Sequence, residues 1–142
     1  MHLFVLEYFT NLDNLAPIIY KLASKNQKVY ICGTHPIKSF KNDKLISFLK
    51  KNSNVYYDDL RPIKIKDKIT IFFISFLSLL PKRIICGRSF WDRISKRINL
   101  IDIDYMMKLV HEKKICSITI EDSLNKEKQK KIKEISTKTN IP

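Results

Sequence analysis

His2-Leu3-Phe4-Val5-Leu6 is an unbroken apolar run, and Lys28-Val29-Tyr30-Ile31-Cys32 follows it with similar make-up. Short runs without polar alternation suit strands covered on both faces, as in a parallel sheet. Between them Leu15, Ile18, Ile19 and Leu22 recur at helical spacing. Asn11, Asp13 or Asn14 can cap that helix, and Pro17 is tolerable in a first turn. The stretch from residue 2 to residue 32 therefore reads as one βαβ unit.

The same alternation continues outward. Lys44 to Leu49 reads as a second helix, and Asn54-Val55-Tyr56-Tyr57 as a third strand that stops before Asp58 and Asp59. Two helical pieces follow at Trp91 to Ile98 and Asp104 to Val110, then a strand at Ile115-Cys116-Ser117-Ile118-Thr119-Ile120, ended by Glu121 and Asp122. A last helix from Asn125 to Ser136 alternates charges on a solvated face and turns Ile132 and Ile135 inward. Thr139-Asn140-Ile141-Pro142 then reads as the approach to a fifth strand. Right-handed crossovers place each helix over the sheet. The expected fold is α/β, a single Rossmann-like unit over residues 1–142 with an open parallel sheet and helices on both faces, truncated before its last strands.

The chain has 142 residues and is 44% hydrophobic, enough for one domain with a core. Only two glycines occur, Gly33 and Gly87, so there is no phosphate loop of the Walker type and no dinucleotide fingerprint. No cofactor is expected. Three cysteines, Cys32, Cys86 and Cys116, form no CxxC pair, so neither a disulfide framework nor a structural zinc site is indicated. A reducing cytosol is the expected home, and Met1-His2-Leu3-Phe4 lacks the basic start of a signal peptide.

The net charge of +13, from 27 Lys and Arg against 14 Asp and Glu, favours anionic partners. A lysine excess also follows from codon bias and ordinary solvated helices, so only its clustering is informative. One cluster brackets the most apolar stretch, residues 69–80, which ends at Pro81. Arg61, Lys64, Lys66 and Lys68 precede it, and Lys82, Arg83 and Arg88 follow. At 12 residues the stretch falls short of the roughly 20 needed to span a bilayer. A buried helix is the first expectation. The second is a peripheral contact with an anionic membrane surface through Lys68, Phe72, Phe73, Phe76, Lys82, Arg83 and Arg88. Nucleic-acid binding by the basic, aromatic segment from Lys82 to Arg97 ranks below this, because no nucleic-acid motif accompanies it and Phe90, Trp91, Ile94 and Ile98 fit one buried helical face.

Three segments carry a family resemblance: Tyr8-Phe9-Thr10-Asn11-Leu12-Asp13-Asn14-Leu15-Ala16-Pro17, the strand Val29-Tyr30-Ile31-Cys32, and the tail from Ile118-Thr119-Ile120-Glu121-Asp122 to Asn140-Ile141-Pro142. Together they resemble the N-terminal half of GT-B glycosyltransferases and related enzymes of bacterial surface-carbohydrate and teichoic-acid assembly. The resemblance implies an acceptor-side domain, with the nucleotide-activated donor held by a C-terminal domain that this chain lacks. It also implies a glycan or lipid-linked acceptor and a catalytic base in this half. The Gly-rich first loop of many such enzymes is missing, and the family's His-Gly segment would fall just past Pro142. The chain alone is expected to be inactive.

Ligands of open parallel sheets bind beyond the carboxyl ends of the strands. His35, in Cys32-Gly33-Thr34-His35-Pro36, falls there and is a candidate general base toward a sugar hydroxyl. Glu7 and Asp122 share that edge as candidate catalytic carboxylates, and Thr10, Asn11, Asn14, Gly33, Thr34 and Glu121 as acceptor contacts. The alternatives are a loop histidine and helix-capping carboxylates. A zinc site from Cys32, His35, His111 and Cys116 is disfavoured, since parallel topology puts the first two and the last two at opposite sheet edges. Two other functional classes remain in view: a non-enzymatic module binding an anionic ligand or partner, and a protein similar to sugar-nucleotide epimerases.

Overall fold

A computed structural model of the chain describes residues 1–7, 9–34, 41–59, 69, 72, 73, 76, 103–120 and 126–142. These residues form a four-stranded sheet flanked by helices. In chain order the elements are β1 (His2–Leu6), α1 (Phe9–Ser24), β2 (Val29–Gly33), α2 (Lys44–Leu49), β3 (Val55–Asp59), α3 (Ile103–Glu112), β4 (Ser117–Ile120) and α4 (Lys126–Thr139). The sheet order is β3-β2-β1-β4 and every pairing is parallel. This is the open, Rossmann-like α/β arrangement that the alternation of elements predicts.

Side chains of the two central strands point alternately to opposite faces, which splits the core in two. Phe4, Leu6, Val29 and Ile31 pack with Leu12, Leu15 and Ile19 of α1 and Ile46 and Leu49 of α2. Leu3, Val5, Tyr30 and Cys32 pack on the other face with Met106, Leu109 and Val110 of α3 and Ile132 and Ile135 of α4. Both faces of β1 and β2 are therefore covered, which is why their sequences show no polar alternation.

With glycine scarce, other residues take the left-handed positions that end the helices. Asn26, Lys114 and Asn140 have φ of 59°, 49° and 54° and follow α1, α3 and α4 in turn. Each makes the same closure: Gln27 N–H donates to Leu22 O at 3.1 Å, Ile115 N–H to Val110 O at 3.0 Å and Ile141 N–H to Ser136 O at 3.1 Å. These six-to-one bonds satisfy carbonyls that a helix end otherwise leaves without partners. The N-terminus of α2 is capped by Asp43, whose carboxylate accepts from the backbone N–H of Leu45 at 2.7 Å and of Ile46 at 3.3 Å.

Several boundaries differ from expectation. β2 lies one residue later, β3 runs on through Asp58 and Asp59, and α4 continues to Thr139. More consequentially, α1 starts at Phe9, directly after β1, so Asn11, Asp13 and Asn14 are internal and Pro17 is the ninth helical residue. The predicted Trp91 to Ile98 helix lies outside the described residues. Ile69, Phe72, Phe73 and Phe76 are helical but exposed, not buried as first expected. On the outer side of β4, Ile118 N–H donates to Pro142 O at 2.8 Å, so the tail reaches the place where a fifth strand would begin.

The two described cysteines have opposite surroundings. Cys32 is buried within β2 and Cys116 is exposed just before β4. Burial pushes the Cys32 thiol up from its ordinary value, and the Asp58 and Asp59 carboxylates push it further in the same direction. Burial, with Asp58, likewise raises the Tyr30 phenol. Alkylation with iodoacetamide at about pH 8 is expected to modify Cys116 in the native protein and to spare Cys32 until unfolding, as read by peptide mapping. Equal labelling of both would contradict the packing of β2. Because the folded state holds these protons more tightly, the stability they contribute is complete below the unfolded thiol value of about 8.5 and is lost as pH rises above it.

Candidate functional site at the carboxyl edge of the sheet

β1 is followed in space by β2 and β3 on one side and by β4 on the other. The order thus reverses between β1 and β4, and at such a switch point the crossovers diverge and leave a crevice outside the strand ends. α1 and α4, which follow these two strands, begin on this edge.

Among the described residues the buried polar side chains are Glu7, Asn11, Thr34 and Lys128. All four belong to this edge. Glu7 and Thr34 directly follow β1 and β2, while Asn11 and Lys128 sit in the first turns of α1 and α4. Thr34 ties the two central strands together, its N–H donating to Leu6 O at 2.7 Å and its hydroxyl to the same oxygen at 2.9 Å. The Lys128 ammonium donates to Glu7 Oε1 at 2.6 Å and reaches Thr34 O at 3.4 Å. Side chains of this pair are only 7% and 9% exposed. The carboxylate and the ammonium therefore meet out of bulk water, where geometry must be good for the contact to compensate desolvation.

A carboxylate held in this way has a fixed direction and is an acceptor of hydrogen bonds. A neighbouring ammonium offers further donors to an anion or a hydroxyl oxygen. The arrangement can orient a polar group and accept its proton, the elementary steps of general base chemistry.

Glu7, Asn11, Gly33 and Thr34 are brought to one edge as the sequence suggested. Thr10 lies in the same first helical turn, and Asn14 is exposed one turn further on. His35, Glu121 and Asp122 lie outside the described residues, as do Lys68, Lys82, Arg83 and Arg88. Lys128 is the residue that sequence reasoning missed; it was assigned to a solvated face of α4, whereas that position is buried. Cys32 lies near the carboxyl end of β2, and Cys116 and His111 lie at the start of β4 and the end of α3, at opposite edges.

A second polar group flanks the site at β3. Tyr30 OH is 3.5 Å from Asp58 Oδ2, and Tyr57 OH bonds Asp59. Burial, and then Asp58, raises the phenol of Tyr105 on α3 as well.

The described residues define a Rossmann-like parallel α/β fold with a cluster of buried polar side chains at its switch point. Comparison with known protein families, curated proteins and solved structures gives no significant match.

Proposed function

We propose that the chain is the N-terminal, acceptor-side part of a glycosyltransferase-like enzyme of bacterial surface polysaccharide biosynthesis. It transfers a sugar or a glycerophosphate from a nucleotide-activated donor, held by a further domain, to a glycan or lipid-linked acceptor, working peripherally on the inner face of the membrane. The observation that supports this reading is the gathering of Glu7, Asn11, Thr34 and Lys128 at the switch-point edge. In this reading Glu7 orients the acceptor hydroxyl or takes its proton, and Lys128 fixes the carboxylate while donating to neighbouring oxygens. His35 and Asp122 are the further candidates for the base, and Asn11, Asn14 and Glu121 for hydroxyl contacts.

The test is a titration of the isotopically labelled 142-residue chain, followed by backbone amide shifts. An oligosaccharide or polyprenyl-phosphate-linked saccharide is expected to move the amides of Glu7, Asn11, Thr34 and Lys128, and a nucleotide sugar to move none. No sugar transfer is expected from this chain alone. Transfer by the chain, or nucleotide-sugar binding at the crevice, would overturn the assignment. Shifts there with inorganic phosphate but not with glycan would favour an anion-binding module instead.

A further inference from the structure

Ile69, Phe72, Phe73 and Phe76 are helical and stand at i, i+3, i+4 and i+7. At about 100° per residue they fall within an arc of about 100°, so they share one face. They are 60%, 73%, 62% and 58% exposed. Three neighbouring phenyl rings left in water are a costly surface for a folded chain, and patches of this kind mark contact sites.

We infer that this face docks on an anionic phospholipid bilayer, with the helix lying in the headgroup plane and its rings entering the acyl boundary. This rests on the reading above only for which membrane is met. Charge argues for a bilayer over a protein groove. Residues 69–80 contain no charged side chain, yet four basic residues precede them within 61–68 and three follow within 82–88, against the single acid Asp67. Cations on both sides of an uncharged apolar stretch of sequence match a plane that is negative on every side, which a bilayer of anionic lipid presents. Among the described residues no helix is long and apolar enough to cross a membrane.

Cosedimentation with vesicles tests this directly. The chain is expected to bind phosphatidylglycerol-containing vesicles more than about tenfold better than pure phosphatidylcholine vesicles, with binding weakened by salt. The triple substitution Phe72→Ser, Phe73→Ser, Phe76→Ser should reduce binding by at least about tenfold while leaving the circular dichroism unchanged, because these rings are exposed. Equal binding to both lipids, or binding unaffected by the triple substitution, overturns the proposal. So does a dimer seen in ultracentrifugation that the substitution dissolves, without vesicle binding, because the face would then belong to a second copy. The acceptor titration is run without lipid, so either reading can fail while the other stands.

Discussion

Lys128→Met is expected to lower the unfolding free energy by about 3–5 kcal/mol, the cost of removing one partner from a buried ion pair. The ammonium meets Glu7 Oε1 at 2.6 Å with both side chains over nine-tenths buried, so water cannot readily replace it. The exposed pairs on α3 and α4 make the contrast. The side chains of Lys108–Glu112 and Lys138–Glu134 are 44% to 72% exposed, and such pairs contribute about 0–1 kcal/mol. Removing the carboxylate as well, in Glu7→Leu/Lys128→Met, should recover most of the loss, because an apolar pair of similar volume avoids desolvating two charges. Urea unfolding followed by circular dichroism decides it. A loss below about 1 kcal/mol for the single variant would mean that the crevice is wet and the pair is a surface contact.

Phe4→Ala should cost about 3–5 kcal/mol by leaving a cavity that the sheet cannot collapse into. Phe4 is 1% exposed at the middle of β1, in register with Ile31 and Thr119, so backbone ladders on both sides hold the site open. Leu12, Ile19 and Leu49 close it from the helices. The control is Phe48→Ala on α2, whose ring is half exposed and stacks on Tyr20 with centroids 5.9 Å apart. That contact is worth about 0.5–1.5 kcal/mol beyond its area. Comparable losses for the two variants in denaturant titrations would show that the β1 ring is not enclosed as described.

What could be read from the sequence was whatever depends on near neighbours. The bounds of β1 and of α2 follow from apolar runs, and Ile132 and Ile135 face inward as their spacing requires. The start of α1 misled because Asn11, Asp13 and Asn14 all have capping chemistry, and nothing local says that the helix has already begun at Phe9. Lys128 was illegible for a different reason. It stands among Lys126, Lys130 and Lys131, and what distinguishes it is a carboxylate 121 positions away. Ile69, Phe72, Phe73 and Phe76 show the limit of an apolar pattern, which suggests a helix but not what covers it.

The placement of β4 sets the order in which the chain can be assembled. Pairing His2 with Val29 closes a loop of roughly 27 residues, whereas pairing His2 with Ser117 closes one of about 115. On loop length alone the second closure costs about 1.3 kcal/mol more. Met1 is drawn into that late step, since its carbonyl accepts from Cys116 N–H at 2.8 Å and its ammonium reaches Lys114 O at 3.2 Å. Met1 thus gains these neighbours only after residues 114–116 have been made. During that interval one side of the central strand β1 is an open edge, a surface that other chains can pair with and the period in which aggregation competes with folding.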